Sequence, residues 1–274
     1  MKKVLAKILI LLFLNGILIS ASAEERLRMA TTTSTENSGL LEILNPVFEK
    51  QTGIKLDVIA VGTGKAIKLA ENGDVDLILV HAPSAEKKFI EAGYGIDRKA
   101  VMYNDFVLVG PKTDPANVKK TCSLNEAMQN IFRSNATFIS RGDDSGTHKK
   151  ERAIWNSANK EPGGNWYLAV GQGMGAVLKI ANDKQAYTLT DRGTWLAYRN
   201  KMELEVVSEG DPILFNPYHV IAVNPQQHAH TKYKLASEYI NFITSEAGQA
   251  LIQNFKVKGE QLFHPDVLEK YFQR

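Results

Sequence analysis

The sequence contains one cysteine, Cys122, among its 274 residues. A single thiol cannot form an intrachain disulfide, so the hydrophobic core has to stabilise the fold without one. One thiol is also a poor basis for a metal site. The scattered residues His219, His228 and His230 are more typical of a protein surface than of a zinc site. We therefore predict that no metal cation is bound.

An excess of charge of one sign is also lacking. Lys and Arg number 33, Asp and Glu number 30, and the formal net charge is +3. Lys2, Lys3 and Lys7 lie at the N-terminus, so the remainder of the chain is close to neutral. Such a balance gives no indication of a nucleic-acid partner or of a polybasic membrane-binding patch.

Long apolar runs are absent except near the N-terminus. Residues 1–23 combine a basic start, an apolar stretch over residues 8–19 and the small-residue site Ala21-Ser22-Ala23, which is the pattern of a secretory signal peptide. The stretch is too short and too interrupted to predict a membrane span. No cysteine lies near the cleavage site to carry a lipid anchor. We expect a mature chain that starts near residue 24 and is free in the periplasm.

The rest of the chain repeats one local pattern: a short apolar strand, a turn rich in glycine or hydroxyl residues, and an amphipathic helix. Five such turns lie at residues 31–37, 62–65, 140–148, 171–175 and 190–191. Alternating strands and helices predict an α/β fold with mostly parallel sheets. In such folds, small ligands bind beyond the carboxyl ends of the strands, where these turns meet.

The turn at residues 140–148 is the most informative. It precedes a helix predicted over residues 149–158, and the first N–H groups of a helix form a favourable site for an anion. Arg141 adds a fork of charged donors, while Ser145 and Thr147 add hydroxyls. Two structural interpretations remain open: Ser145 could simply cap the helix, and Arg141 could simply pair with Asp143 or Asp144.

The first turn carries five hydroxyl residues in a row, from Thr31 to Thr35. Thr33 and Glu36 fit a capping box, which needs only one hydroxyl. The excess indicates a hydroxyl-lined pocket. The second turn, Gly62-Thr63-Gly64-Lys65, lacks the spacing of a Walker loop, although Lys65 could contact an anion.

A function from a different class is a secreted serine hydrolase. Residues 142–146 (Gly-Asp-Asp-Ser-Gly) loosely resemble the surroundings of a serine-protease nucleophile, which would make Ser145 the reactive residue. The match is short, and the sequence reveals no matching His and Asp partners.

Two buried strands, at residues 106–111 and 218–225, are interpreted as paired crossovers between two lobes. Lobe I is then predicted to comprise residues 24–105 and 217–274, and lobe II residues 106–216. Two lobes that face each other could enclose a small anion between their turns.

Over nearly all its mature length, the chain resembles the periplasmic substrate-binding proteins of ABC importers that bind oxyanions, and among these the tungstate-binding proteins. The matching motifs are the hydroxyl run at residues 31–35 and Arg141-Gly142-Asp143-Asp144-Ser145-Gly146-Thr147-His148. The resemblance implies a two-lobed, type II-like α/β fold with a two-strand hinge. It also implies a monomer without catalytic activity or cofactor that delivers tungstate to an ABC transporter permease.

The resemblance and the five turns together select ten candidate ligand-binding residues. They come from both predicted lobes and are mostly neutral donors. They are Thr32, Thr33, Ser34, Thr63, Arg141, Ser145, Gly146, Thr147, Gly173 and Thr190.

The same Arg-x3-Ser-Gly-Thr pattern also resembles the phosphate-binding proteins of this class. Those place a carboxylate after the third strand, where it accepts the proton that phosphate keeps near neutral pH. Here that place holds His81. A fully ionised anion offers no proton and repels a carboxylate, so the replacement favours tungstate or molybdate over phosphate. The structural alternative is a neutral histidine at a strand end. Molybdate or another tetrahedral oxyanion remains an alternative ligand.

Overall fold

The computed structural model describes residues 24–266 of the protein. The predicted signal peptide lies outside the described residues. Within that range the chain forms twelve strands and ten α-helices. The strands are β1 (Arg26–Thr32), β2 (Lys55–Val61), β3 (Leu77–Val80), β4 (Gly95–Gly110), β5 (Phe138–Ser140), β6 (Tyr167–Ala169), β7 (Thr188–Asp191), β8 (Glu205–Ser208), β9 (Phe215–Val223), β10 (Lys256–Val257), β11 (Glu260–Gln261) and β12 (His264–Pro265).

Most of the helices directly follow a strand. They are α1 (Thr33–Asn37), α2 (Leu40–Thr52), α3 (Thr63–Glu71), α4 (Pro83–Glu91), α5 (Leu124–Ser134), α6 (Gly146–Ser157), α7 (Met174–Lys184), α8 (Arg192–Tyr198), α9 (Tyr233–Thr244) and α10 (Glu246–Asn254). None of the helices within residues 24–266 is long and apolar enough to cross a membrane.

The first lobe is built on a mixed sheet. Strands β2, β1 and β3 are parallel, and β9, β4 and β12 extend the sheet in antiparallel pairing. Successive side chains of β1 alternate between its faces: Leu27 and Met29 join one hydrophobic cluster with α2 and α9, while Ala30 joins another with α3. Helices therefore cover both faces, as the strand and helix order predicts.

The second lobe repeats this arrangement around the C-terminal half of β4. Strands β7 and β8 pair with that half, and β5 pairs with β6 in parallel. Phe106 and Leu108 face one cluster with α5 and α6, whereas Val107 and Val109 face another with α7. The lobe thus has a core on each side of a small sheet.

The two lobes are joined where β4 and β9 run side by side. Residues up to Asp105 in β4 pair with β9, and residues from Phe106 onward pair with β7. The crossing therefore lies at Asn104 and Asp105, opposite Asn216 and Phe215. The runs at residues 106–111 and 218–225, interpreted as the two crossovers, belong largely to these two strands, but the crossing itself lies outside both runs. Those apolar runs mark the parts of each strand buried within a lobe, and the crossing lies in the polar stretch between them.

The hydrophobic clusters to which residues belong also change near the crossing of β4 and β9. The clusters on the first sheet use residues up to Met102 and from Tyr218, together with Leu196, and those of the second lobe use residues from Phe106 to Leu214. This is consistent with the division at residues 105/106 and 216/217, whose exact boundaries stay a prediction.

The surface location predicted for His219 is wrong. Its side chain is buried, and its Nδ1 lies 3.0 Å from Oε2 of Glu86. Glu86 is fully buried and also accepts hydrogen bonds from Arg98 and the backbone N–H of Ala82. His219 is therefore part of a buried polar network behind the sheet. Cys122 is exposed, as a free thiol.

Candidate functional site

One cavity of about 860 Å³ lies between the two lobes, at the carboxyl ends of β1, β2, β3, β5 and β7. Its walls include nine of the ten candidate residues. These are Thr32, Thr33, Ser34, Thr63, Arg141, Ser145, Gly146, Thr147 and Gly173. The structure therefore brings together residues separated by up to 141 positions in the chain, as ligand binding at strand ends requires.

The tenth candidate, Thr190, does not line the cavity. Its side chain is fully buried, and its hydroxyl donates to the backbone carbonyl of Asp191 at 3.2 Å. Asp191 lines the cavity instead. Because neighbouring strand residues point to opposite faces, a threonine one position before the strand end is turned away from the site.

The first hydroxyl turn is capped by Thr32, and the capping box predicted for Thr33 is wrong. Oγ1 of Thr32 accepts from the backbone N–H of Thr35 at 3.2 Å. The same oxygen lies 2.7 Å from Oγ1 of Thr35 and 3.0 Å from Oγ of Ser34. Thr33 is exposed on the cavity wall, so its hydroxyl is available to a ligand.

Three longer helices also begin at the cavity. The caps of α3 and α7 are Gly62 and Gly173, which provide no capping side chain. Helix α6 begins at Gly146, three residues earlier than predicted, because Ser145 caps it by accepting from the N–H of His148 at 3.3 Å. First-turn N–H groups and the positive ends of three helix dipoles therefore meet at one place.

Arg141 is held at the site by Asp143. Nε and Nη2 of Arg141 donate to Oδ2 of Asp143 at 3.1 and 2.5 Å, and Oδ1 accepts from the N–H of Ser145 at 3.1 Å. Burial would raise the pKa of Asp143, but the hydrogen bonds from Ser145 and Arg141 lower it below its ordinary value. An ionised Asp143 thus positions both the arginine and the start of α6. The guanidinium has five N–H groups, so three are left for a further acceptor.

The two lobes come close at Gly146. A Cβ atom placed on Gly146 would lie 3.8 Å from Oγ1 of Thr63 and 3.9 Å from Cε1 of His81, which belong to the opposite lobe. The missing side chain leaves room between a helix start on one lobe and a hydroxyl on the other. Donor groups of both lobes therefore border this space.

His81 follows β3 and borders this space. Its Nδ1 lies 3.0 Å from Oδ1 of Asn216, and its Nε2 lies 3.2 Å from Oγ1 of Thr32 and 3.4 Å from Oγ of Ser34. The ring stacks on Tyr218 with centroids 4.4 Å apart. Burial lowers the pKa of His81, which favours the neutral ring. The site thus has an imidazole with a lowered pKa at the place considered for a carboxylate.

Sequence reasoning missed three carboxylates on the cavity wall as possible acceptors: Asp143, Asp144 and Asp191. Asp143 is bonded to Arg141, and Asp144 lies 3.3 Å from Nζ of Lys149. Asp191 caps α8, accepting from the N–H and hydroxyl of Thr194 at 2.8 and 2.7 Å. Each carboxylate therefore has a partner, which weakens its effect on a bound anion. The capping signal of Asp191 before Thr194 could have located that residue.

Other lining residues had weaker sequence signals. Lys65 lies on the cavity wall, as does Tyr198, whose hydroxyl would be 2.5 Å from a Cβ on Gly175. Asn104 and Tyr218 reach the cavity from the crossing strands. The described residues contain no group of three or more His, Cys, Asp or Glu side chains placed to hold a cation.

The surroundings of Ser145 do not form a catalytic triad. His148 Nδ1 accepts from the backbone N–H of Asp144 at 3.0 Å, and the hydroxyl of Ser145 caps its own helix. Within residues 24–266, no histidine ring is hydrogen-bonded to Ser145. A serine nucleophile needs such a base.

Comparison with known proteins supports the two-lobed arrangement. A family profile described as a PBP superfamily domain matches residues 20–247. The tungstate-binding protein TupA of Peptoclostridium acidaminophilum is 47% identical over 242 residues, which cover 87% of this chain and 85% of the relative.

Two solved structures are similar over most of their length. The tungstate-binding protein TupA from Desulfovibrio alaskensis G20 is 48% identical with a TM-score of 0.82, and the match covers 88% of this chain and 99% of that one. The structure described as the tungstate ABC transporter from Geobacter sulfurreducens is 53% identical with a TM-score of 0.76, covering 85% and 100%.

Proposed function

The chain belongs to the PBP superfamily and to the family of the tungstate-binding proteins TupA, and on this basis we propose that it captures tungstate for an ABC importer. The observation that carries the proposal is the cavity between the lobes. Three helix N-termini, Arg141 and a set of hydroxyls converge there. These are donors for an anion with several acceptor oxygens.

The proposed ligand is a fully ionised tetrahedral oxyanion. Tungstate has four acceptor oxygens and no proton near neutral pH, which suits a site whose groups mostly donate. Hydrogen phosphate would bury its own O–H, at a cost of about 1–3 kcal/mol where no acceptor is free. Molybdate is the nearest alternative because its size and charge are almost those of tungstate.

The protein's role is delivery, without a catalytic step. We propose that the monomer works outside the cytoplasm, exported by its N-terminal signal peptide, and releases the anion to the permease of the transporter. No cofactor and no bound metal cation are part of the proposal.

Competition calorimetry on the mature protein tests the ligand assignment. At fixed pH and ionic strength, we expect tungstate to bind most tightly, then molybdate, then sulfate, with phosphate weakest. Sulfate is smaller, so its oxygens stay further from some of the donors. Tighter binding of phosphate than of tungstate would contradict the assignment, and equal affinities for tungstate and molybdate would change only the name of the ligand.

A labelling experiment tests the hydrolase alternative directly. A fluorophosphonate probe reacts with activated serine nucleophiles, and we expect no label on Ser145, because its hydroxyl serves as a helix cap. A Ser145→Ala variant is the control for non-specific labelling. Stoichiometric label that is lost in Ser145→Ala would favour the hydrolase.

A further inference from the structure

The ring of His81 is oriented by a chain of amides. The amide nitrogen of Asn216 donates to Oδ1 of Asn104 at 2.7 Å, so the amide oxygen is the atom that faces His81. An amide oxygen can only accept a hydrogen bond. Nδ1 of His81 therefore carries a hydrogen in both the neutral and the protonated ring.

The protonation state of His81 is consequently decided at Nε2. In the neutral ring Nε2 is an acceptor, and its neighbours are the hydroxyls of Thr32 and Ser34 at 3.2 and 3.4 Å. One of these two hydroxyls has to point its proton at the ring, or an acceptor of this half-buried ring stays without a partner in the protein. In the protonated ring, Nε2 donates to a hydroxyl oxygen instead.

These two hydroxyls are also proposed to bind the anion. Each has one proton, so with a neutral His81 at most one of Thr32 and Ser34 can donate to the anion. With a protonated His81, both can donate, and the ring adds a positive charge beside the anion. Thr35 does not change this count, because its hydroxyl lies 2.7 Å from Oγ1 of Thr32, inside the same cluster.

From this count of donors we propose that tungstate binding is coupled to the uptake of one proton by Nε2 of His81, which makes His81 a positioning residue for the hydroxyls of Thr32 and Ser34. The inference rests on the proposed function and adds the protonation step. The proton comes from solvent and forms one N–H bond.

The charges around His81 are compatible with a ring that changes state. Burial lowers the pKa of His81, whereas the hydrogen bond to Asn216 and the carboxylates of Asp191 and Glu86 raise it, and Lys150 lowers it. Tyr218, stacked on the ring, has a pKa raised by burial and stays neutral. Arg141, Lys65, Asp143 and Asp144 line the same cavity. A dianion next to Nε2 raises the pKa of His81 further.

The direction of the pH dependence follows from linkage. Between the lower pKa of His81 without the anion and its higher pKa with the anion, the complex binds more protons than the free protein. Affinity therefore falls as pH rises through this window, by at most about tenfold per pH unit for one proton. Below the window the ring is protonated in both states, and the affinity is constant.

Calorimetry in buffers of different ionisation enthalpy measures the proton uptake. Tungstate is titrated into the mature protein at several pH values between about 6 and 8, around the ordinary pKa of histidine. We expect roughly 0.5 to 1 proton taken up per anion within the window. His81→Gln should show no uptake and a flat pH profile, because glutamine can donate a hydrogen bond but does not titrate.

Two further variants separate this role from a structural one. Asn216→Asp places a carboxylate against Nδ1–H, which raises the pKa of His81 without the anion, so the uptake should fall while tungstate still binds. His228→Gln is the matched control, because His228 does not line the cavity and contacts the carbonyl of Glu71. It should retain the wild-type uptake.

The outcomes distinguish this inference from the proposed function. Tight tungstate binding with no proton uptake at any pH would overturn the role of His81 and leave the tungstate assignment standing. Uptake that persists in His81→Gln would assign the proton to another group, such as Glu151, and would also overturn the inference. No tungstate binding by the wild-type protein would overturn both.

Discussion

Arg141 and Asp143 show how single residues prepare the site. The carboxylate of Asp143 accepts two N–H groups of the guanidinium and one backbone N–H at the start of α6. An arginine that is already positioned loses less side-chain entropy when it binds an anion. The structural interpretation of Arg141, as a partner for Asp143, and the functional one are therefore compatible.

Replacement of Arg141 tests its contribution. A charge-assisted hydrogen bond contributes about 1.5–3 kcal/mol, so Arg141→Ala should weaken tungstate binding by about tenfold to a hundredfold or more. The variant also leaves Asp143 uncompensated beside the anion. Arg141→Lys should restore part of the affinity, because the charge returns without the fork geometry. Calorimetry measures both.

Arg133→Ala is the control for this substitution, since Arg133 is an exposed residue of α5 that contacts Gln129. It should bind tungstate like the wild type. Wild-type affinity in Arg141→Ala would mean that the arginine is structural and that the anion lies elsewhere.

Gly146 gives a second test at the scale of one residue. A Cβ at this position meets Thr63 and His81 only at ordinary contact distances, so Gly146→Ala should fold normally. The methyl group would nevertheless fill part of the space between the helix start and the opposite lobe. We expect tungstate binding to weaken by roughly tenfold or more, as is typical when about 1.4 kcal/mol of contacts is lost.

Thermal unfolding and calorimetry together check this prediction. Gly163→Ala is the control, because nothing lies within 4 Å of a Cβ on Gly163. Lost binding with an unchanged melting temperature supports the location of the site. Unchanged binding in Gly146→Ala would place the anion away from α6.

The sequence largely predicts which residues line the cavity, but it does not predict their hydrogen-bond partners. Hydroxyl and glycine turns after apolar strands follow from local periodicity, and nine of ten candidates reach the cavity. The contact of His81 with Asn216 joins residues 135 positions apart, which no local pattern encodes. The sequence pattern favours Thr190 over Asp191 because it predicts a strand end two residues before the observed end of β7 at Asp191.

At the scale of secondary structure, helix starts follow from capping residues, and strands and helices follow from the spacing of apolar residues. Ser123 caps α5 and Ser245 caps α10, and serine is a preferred residue at helix starts. At the first turn, Thr32 and Thr33 offer equivalent hydroxyls, and only the geometry of β1 decides which becomes the cap. The crossing lies just outside the apolar runs at residues 106–111 and 218–225 for a related reason: apolar runs mark burial within a lobe, whereas the crossing between two cores is polar.

Helix α6 is attached to β5 and β6 through a buried carboxyl. Glu151 of α6 accepts from the hydroxyl of Tyr167 at 2.6 Å and from that of Ser140 at 2.7 Å. Burial raises the pKa of Glu151 to about 7, and the hydrogen bonds from Tyr167 and Ser140 only partly oppose this. Ser140 directly precedes Arg141, so this contact fixes the strand from which the anion turn departs.

This carboxyl should make the stability of the protein depend on pH. The folded-state pKa lies above the ordinary value of 4.5, so the folded protein binds more protons between about pH 4.5 and 7. The stabilising contribution of the protonated group is complete below this range and is lost as pH rises through it. The loss is about 1.4 kcal/mol per pH unit, or about 3 kcal/mol in total.

Denaturant unfolding at several pH values from 5 to 8 tests the role of Glu151. Glu151→Gln removes the titration, so the free energy of unfolding should fall less with rising pH than in the wild type. Glu161→Gln, at an exposed position, is the control and should keep the wild-type slope. Identical slopes for wild type and Glu151→Gln would show that Glu151 is ionised throughout.

At the scale of the whole molecule, binding depends on two lobes connected by two strands. The crossing at Asn104 and Asn216 is bridged by a 2.7 Å hydrogen bond. In the second lobe, Lys150 of α6 donates to the carbonyls of Ile213 and Phe215 at 3.1 and 2.9 Å, next to that crossing. Helix α6, whose N-terminus faces the cavity, is therefore hydrogen-bonded directly to the segment that leads into the crossing strand β9.

The cavity is large for its proposed ligand, and this leads to a prediction about shape. About 860 Å³ exceeds the space that one tetrahedral oxyanion occupies, and the candidate donors line both of its walls, Thr32 and Ser34 on one lobe and Arg141 and Ser145 on the other. We therefore expect the lobes to rotate toward each other about the crossing strands and to close around a bound anion. Small-angle X-ray scattering should show a smaller radius of gyration with saturating tungstate.

Two controls accompany this scattering experiment: sulfate at the same ionic strength, and the Arg141→Ala variant with tungstate. The radius of gyration should change less in both. An unchanged radius despite calorimetric binding would mean that tungstate is held by one lobe alone, in which case substitutions at Thr32 and Ser34 should leave the affinity intact.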